Sequence, residues 1–180
     1  MILSKRLKAI TEYIEEGVRV IDVGCDHALL DIYLTLEKKN KCIASDINSN
    51  VLAKTKEMIS SYGLEKEIEI VQSDGIDNIE IEKDDIVVIA GMGTSTILHI
   101  LREKKPNNLI IQSNNDLDIL RRKVIEKGYI IEDEKAVFEK GIYYVIIKFC
   151  KGNQEYLEED YLFGPILREK KEEEMVSYFK

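Results

Sequence analysis

Asp22, Gly24, Asp26 and His27 stand where a β-branched run, Val18-Arg19-Val20-Ile21-Asp22-Val23, gives way to a helical-looking stretch from Leu29 to Lys38. Acid, glycine, short polar elbow and helix is an order that can hold a ligand. Glycine lets the main chain come close to it, and the first amides of the helix point at whatever lies above the strand. A second run, Lys41-Cys42-Ile43-Ala44-Ser45-Asp46, also ends in an acid, suitably placed to grip two ribose hydroxyls. Together the two runs suggest a nucleoside-containing cofactor. Asp74-Gly75, just past a third strand from Lys66 to Val71, adds an acceptor for an adenine amino group, although the same dipeptide is also a common turn. Ala90-Gly91-Met92-Gly93 follows a nearly continuous apolar run and would bring backbone and a soft thioether against a flat ligand.

A dinucleotide fingerprint beginning at Gly24 would need further glycines where Asp26 and Leu29 stand. The looser acid-x-Gly elbow, with an acid after the second strand, fits an S-adenosylmethionine (SAM) site better. A βαβ turn that binds nothing remains open for the elbow taken alone.

These residues need a scaffold that gathers strand ends on one edge, and the periodicity supplies it. Met1 to Glu16 places apolar residues at helical spacing and Gly17 stops it. If that helix runs antiparallel to the first strand, Arg6 returns to the carboxyl edge as a candidate for a carboxylate or phosphate. Asn48 caps a helix to Tyr62, Asp84 to Ala90 reads as a central strand, and a helix runs from about Ser95 to Lys104. Asn108 to Gln112 is a fifth strand, with Asn114 and Asn115 as candidate caps for the helix ending at Lys127. Tyr129 to Phe138 and Ile142 to Cys150 form a hairpin. The expectation is an α/β, Rossmann-like class I methyltransferase fold: a seven-stranded, mostly parallel, doubly wound sheet with a C-terminal antiparallel hairpin and a short C-terminal helix. Residues 1–150 form the cofactor domain in this reading. Residues 151–180 are a polar linker followed from Tyr161 by a charged helix with Leu167 and Met175 as sparse apolar contacts.

Length and composition agree with one domain: 180 residues, 44% hydrophobic and 33% charged. No apolar run approaches the roughly 20 residues of a membrane span, and no signal peptide is visible, so a cytoplasmic protein is expected. Three separated cysteines and two histidines suggest neither a disulfide framework nor a metal centre. A net charge of −8 argues against a generally basic surface while allowing a local basic patch.

In order along the chain, Leu3-Ser4-Lys5-Arg6-Leu7, Asp22-Val23-Gly24-Cys25-Asp26-His27-Ala28, Asp74-Gly75, Ala90-Gly91-Met92-Gly93, Gln112 with Asn114, and Phe163-Gly164-Pro165 resemble the bacterial tRNA N1-methyladenine-22 methyltransferases. The resemblance implies a SAM-dependent enzyme acting on N1 of an adenine in tRNA, with a C-terminal helical appendage. By position it implies that Asp22, Gly24 and the Cys25-Asp26 backbone hold the methionine end of SAM, with Arg6 nearby. Asp46 with Ile47 would take the ribose, Asp74 with Gly75 the adenine, and Ala90, Gly91 and Met92 the wall facing the target base. Gly93 and Gln112 lie on the substrate side of that wall. The chain departs from the family's usual pattern at Leu30-Asp31, Ser45-Asp46, Thr94, Ser113 and Tyr144, and in a shorter C-terminal region.

Neutral adenine N1 carries an in-plane lone pair, so its methylation needs alignment and electrostatics rather than a base. The target must also be turned out of its stack. Asn114, Asp26 and His27 are the candidates for holding it. Asn114 could equally be a helix cap, and His27 a brace for the elbow. Lys5, Arg6 and Lys8, together with Arg121, Arg122 and Lys123, are the cations available for the tRNA backbone. The expected partner is tRNA, with no membrane and no metal, and the expected state is a monomer or weak dimer. Two rivals stay open: a SAM-dependent enzyme for another acceptor, and a SAM- or tRNA-binding protein with little turnover.

Overall fold

In a computed structural model of the chain, residues 1–170 and 173–180 are described, without the side chains of 173–175. The strands are β1 (Val20–Val23), β2 (Cys42–Asp46), β3 (Ile68–Gln72), β4 (Ile86–Met92), β5 (Asn108–Ser113), β6 (Tyr129–Glu139) and β7 (Ile142–Lys151). The helices are α1 (Lys5–Thr11), α2 (Leu29–Lys38), α3 (Ser49–Ser61), α4 (Thr94–Ile100), α5 (Leu117–Glu126), α6 (Glu158–Phe163) and α7 (Glu173–Tyr178). All seven strands join one sheet in the order β3-β2-β1-β4-β5-β7-β6. β1 to β5 run parallel, and β7 is antiparallel to both β5 and β6. The strand order reverses beside β1, which opens a crevice at the carboxyl ends of β1 and β4.

Alternation along the central strands builds two cores. Ile21, Val23, Val87 and Ile89 face the layer of α4 and α5 through Ile97, Leu120 and Val124. Val20, Ile86 and Val88 face α1, α2 and α3 through Ile10, Ile32 and Leu52. A parallel sheet covered on both faces requires apolar residues at nearly every strand position, which is why β1 and β4 read as unbroken runs.

Three elements differ from the sequence expectation. The first helix ends at Thr11 rather than Glu16, because the Lys38 ammonium takes the carbonyls of Thr11 and Ile14 and turns the chain out of the helix. The helix expected to reach Lys104 stops at Ile100, and Lys104 instead donates to the carbonyls of Asp77 and Ile79. The C-terminal region holds two short helices in place of a linker and one helix. α6 starts inside the expected linker, where the Asp160 carboxylate accepts from the Leu157 amide at 2.8 Å. Gly164, at φ +83°, then turns the chain so that Leu167 is fully buried in the core beside β6. The contact expected of the Met175 side chain lies outside the described residues.

Candidate active site

The carboxyl rim of the sheet is built around a sharp elbow after β1. Gly24 (φ +74°), Asp26 (φ +50°) and Ala28 (φ +56°) take left-handed backbone angles in alternation, which costs non-glycine residues energy and marks a held conformation. A Cβ at Gly24 would come 2.3 Å from the Met92 methyl, so a side chain there would push the thioether aside as well as take a strained left-handed backbone angle. The amides of Gly24 and Cys25 both donate to the Ser45 carbonyl, at 2.8 and 3.0 Å, which ties the elbow to β2. The Cys25 amide is therefore already spent, and its thiol is buried and pushed up to about 12 by that burial. Cys25 shapes the elbow and lines the first cleft, but with its own amide turned to β2 rather than into the cleft. The Thr55 hydroxyl, on α3, secures the carbonyl of Asp26.

Two clefts meet over Gly24. The first, about 280 Å³, is lined by Arg6, Asp22, Gly24, Asp26, His27 and Gly91. The second, about 200 Å³, is lined by Gly24, Asp46, Ile47, Asp74, Gly75 and Met92. Every cofactor-side candidate from the sequence, Cys25 and Ala90 included, thus lines one of two clefts that share Gly24. Asp46 ends β2 with Oδ1 accepting from the Asn48 amide at 2.9 Å. Asp74 is flanked by His99 Nε2 at 3.4 Å and Arg102 Nη2 at 3.5 Å, so its carboxylate already has partners that an adenine amino group would join or displace. His27 stands 3.7 Å from the Asp26 carboxylate at the exposed lip of the first cleft.

Arg6 reaches this rim as expected, because the Glu139 carboxylate accepts from the amides of Lys5 (2.9 Å) and Arg6 (3.5 Å) and pins the start of α1 to the β6–β7 turn. Those amides hold Glu139 below the usual carboxylate range. The Arg6 guanidinium donates to Gln112 Oε1 at 2.9 Å and lies 5.6 Å from the centre of the Tyr144 ring. It faces Asp22 and lowers that acid's proton affinity against the larger effect of burial.

Gln112 is buried and serves the scaffold. The β4–β5 register shifts between Ala90 and Met92, leaving Gly91 (φ +79°) bulged, and Gln112 Oε1 accepts its amide at 3.0 Å. Gln112 Nε2 donates to Asn114 Oδ1 at 3.0 Å. A substrate contact through Gln112 is therefore replaced by a positioning role, with Arg6, Gly91 and Asn114 joined through one amide. Neither Asn114 nor Asn115 caps α5, whose N-cap is Asp116 at φ +46°. Asn115 instead caps α4, its Oδ1 accepting from Thr94 N at 2.8 Å. Gly93, the residue preceding α4, lies against the same Asn115 side chain.

The proposed tRNA cations do not all survive. Arg121 is buried, with Nε donating to Glu134 Oε2 at 3.2 Å and Nη1 to the Tyr161 carbonyl at 3.0 Å, so it is withdrawn from any phosphate. Arg122 pairs with Glu158 at 2.5 Å and stacks 4.2 Å from the Tyr161 ring centre, and Lys123 pairs with Glu126 at 3.1 Å. A helix after β5 carries its cations toward α6, which short-range spacing did not reveal. Lys5 opens α1 and Lys8 lies in its last turn, both exposed to solvent.

Asp31 was missed as a site residue. It lies in the first turn of α2, fully buried, and both carboxylate oxygens lack a hydrogen-bond donor. The group facing it is the buried Asp22 carboxyl. A proton held on Asp31 and directed at Asp22 satisfies both. Burial, and then the neighbouring Asp22 charge, push Asp31 well up, while burial raises Asp22 to about 6. Both acids hold protons in the fold that they would lose when unfolded near pH 4. Their stabilising contribution is therefore full below that pH and is lost as pH rises through about 6. Relative to the wild type, Asp31→Asn should gain stability between pH 4 and pH 7, because the variant has no proton to lose at this position as the pH rises. Urea unfolding at the two pH values measures it, and an equal difference at both would disprove the shared proton.

Among the described residues no cluster of metal-ligating side chains occurs, and no helix is long and apolar enough to cross a membrane. Residues 3–147 match the methyltransferase domain family. The chain is 32% identical, over 94% of its length and 76% of the relative's, to the tRNA (adenine(22)-N(1))-methyltransferase of Bacillus subtilis. Among solved structures it is similar to Streptococcus pneumoniae Sp1610 in complex with S-adenosyl-L-methionine (TM-score 0.92, 29% identity, 99% of this chain and 86% of that one). It is also similar to M. capricolum TrmK in complex with S-adenosyl-homocysteine (TM-score 0.88, 32% identity, 99% of this chain and 82% of that one). With its acid-tipped strands, glycine elbow and bulged β4 wall all on one rim, the chain belongs to the tRNA (adenine(22)-N(1))-methyltransferase family.

Proposed function

We infer that this protein is a SAM-dependent methyltransferase that methylates N1 of an adenine, of the position-22 type, in tRNA. The observation that carries the reading is the convergence of Asp22, Asp46 and Asp74 on two clefts that join over Gly24. Strand-end acids in that order suit an ammonium group, a ribose and an adenine in turn, with Gly24, at φ +74°, on the lining of both clefts. Bound there, SAM supplies an electrophilic methyl group on a cationic sulfur.

The chain's own residues have three tasks. Asp22 and Arg6 offer opposite charges to the two ends of an amino-acid moiety in the first cleft. Asp46 fixes the sugar, and alignment of the reactants to within about 3–3.5 Å supplies several kcal/mol of the barrier. Acceptors beside the target base favour a product that is cationic where the reactant was neutral. Lys5 and Lys8 support the tRNA backbone, so affinity should fall with salt. The protein acts in the cytoplasm in this reading, as a monomer or weak dimer.

Purified protein incubated with methyl-labelled SAM and unmodified tRNA should transfer label to one adenine, mapped as a stop to primer extension because N1 methylation blocks Watson–Crick pairing. Label in small molecules alone, or at another nucleotide, would overturn the assignment. So would SAM binding without transfer.

A further inference from the structure

A third cleft, about 490 Å³, opens at the carboxyl end of β5, with Asn114 and Asp118 on one side and Tyr143, Leu162 and Tyr178 on the other. We propose that it is the slot for the flipped-out target adenine, with Tyr143 and Tyr178 as its stacking walls and Asn114 reading the base edge. The assignment rests on the reading of the protein as an adenine-N1 methyltransferase of tRNA.

Position argues first. Asn114 follows β5 directly, and its amide donates to the Met92 carbonyl at 2.8 Å, so the slot borders the β4 wall that closes the cofactor clefts. Tyr143 lies at the start of β7, which returns antiparallel beside β5 and so brings this ring to the same rim. The aromatic group is extended: Tyr143 packs 4.7 Å from Phe138 and 5.7 Å from Tyr178, the latter edge to face at 70°. Both tyrosines stay partly exposed and line the cleft, and Tyr178 is steadied by packing its other side against the core. Aromatic faces of this kind hold unstacked bases whatever their sequence.

The polar groups supply the selectivity. Asn114 Oδ1 accepts from Gln112 Nε2, which settles which way the amide points and leaves a second lone pair on Oδ1 and both Nδ2 hydrogens to be matched. An asparagine amide pairs with adenine by accepting from N6 and donating to N7. That pairing uses the Hoogsteen edge and leaves the N1 lone pair open, which is the requirement for methylation there. Asp116 and Asp118 add negative charge at the cleft, where the base becomes cationic as N1 gains its methyl group. The Gln112 amide also holds Arg6 and the Gly91 bulge, so base edge and cofactor cleft share one hydrogen-bonded support.

The test uses the full chain with unmodified tRNA and with tRNA carrying 7-deazaadenine at the target position. Tyr143→Leu and Tyr178→Leu should each lower kcat/KM for tRNA about 10- to 100-fold while Tyr143→Phe and Tyr178→Phe stay within about 3-fold, since stacking needs the ring and not the hydroxyl. SAM affinity by calorimetry should be unchanged in all four. The 7-deaza substrate should react about 10-fold more slowly with wild-type protein, and should show no further loss with Asn114→Ala, because the N7 partner is then already gone. Leucine variants that methylate like the wild type would overturn the slot. So would a 7-deaza penalty that persists in Asn114→Ala, and this arm decides the matter even if a leucine variant fails to fold. Absence of transfer by the wild-type protein, with SAM still bound, would instead overturn the function on which the slot depends.

Discussion

Glu134→Ala is expected to lower the stability of the fold by about 3–5 kcal/mol, the cost of leaving a buried charge without its partner. Glu134 is fully buried on β6, and its carboxylate collects three hydrogen-bond donors and one further ion-pair contact. Arg121 Nε comes to 3.2 Å, the amides of Ile166 and Leu167 to 3.0 and 3.2 Å, and Arg121 Nη2 lies 3.2 Å away within the ion pair. Removing the carboxylate strands the Arg121 guanidinium and frees the turn after Gly164, where a Cβ would strike the same carboxylate at 2.3 Å. The melting temperature should fall by roughly 6–20 °C. Glu134→Gln should cost less, because its amide oxygen still accepts from the Ile166 and Leu167 amides. A Glu134→Ala protein melting within about 2 °C of the wild type would show that this junction does not hold the C-terminal segment to the sheet.

Asp46→Ala is expected to weaken SAM binding about 100-fold or more, with little change in the melting temperature of the free protein. Two hydrogen bonds to a charged acceptor contribute about 1.5–3 kcal/mol each, part of which water restores to the freed hydroxyls. The helix that follows does not depend on this acid, since Asn48 Oδ1 caps α3 by accepting from Asn50 N at 2.9 Å. Asp46→Asn keeps one acceptor and should bind about 10-fold more weakly than the wild type. Calorimetric titration with SAM gives both values. A dissociation constant within about 3-fold of the wild type in Asp46→Ala would place the ribose elsewhere.

Much of the rim was legible because its signals are local. A buried parallel strand announces itself as a short apolar run, and an acid immediately after it must fall at the carboxyl edge whatever the rest of the chain does. Asp22 stands one residue before the end of β1, Asp46 closes β2 and Asp74 follows β3 by two residues, while Gly24 follows β1 and Gly91 comes one residue before the end of β4. α2 and α3 were equally plain, the latter through its Asn48 cap.

What the sequence by itself determined, then, is the order of elements, the edge on which the acids gather and the kinship that names the reaction. The partnerships across that frame were decided by tertiary structure. Arg121 looked like a surface cation until β6 brought Glu134 under it, and Gln112 looked like a substrate contact until the Gly91 bulge claimed its oxygen. Asn115 turned to cap α4, a helix lying before it in the chain. Asp31 gave no sign of sharing a proton with Asp22 until α2 packed its first turn against β1. The physical reason is common to all four. A side chain's hydrogen-bond partner and its exposure to water depend on which distant residue is placed beside it, and no spacing along the chain encodes that distance.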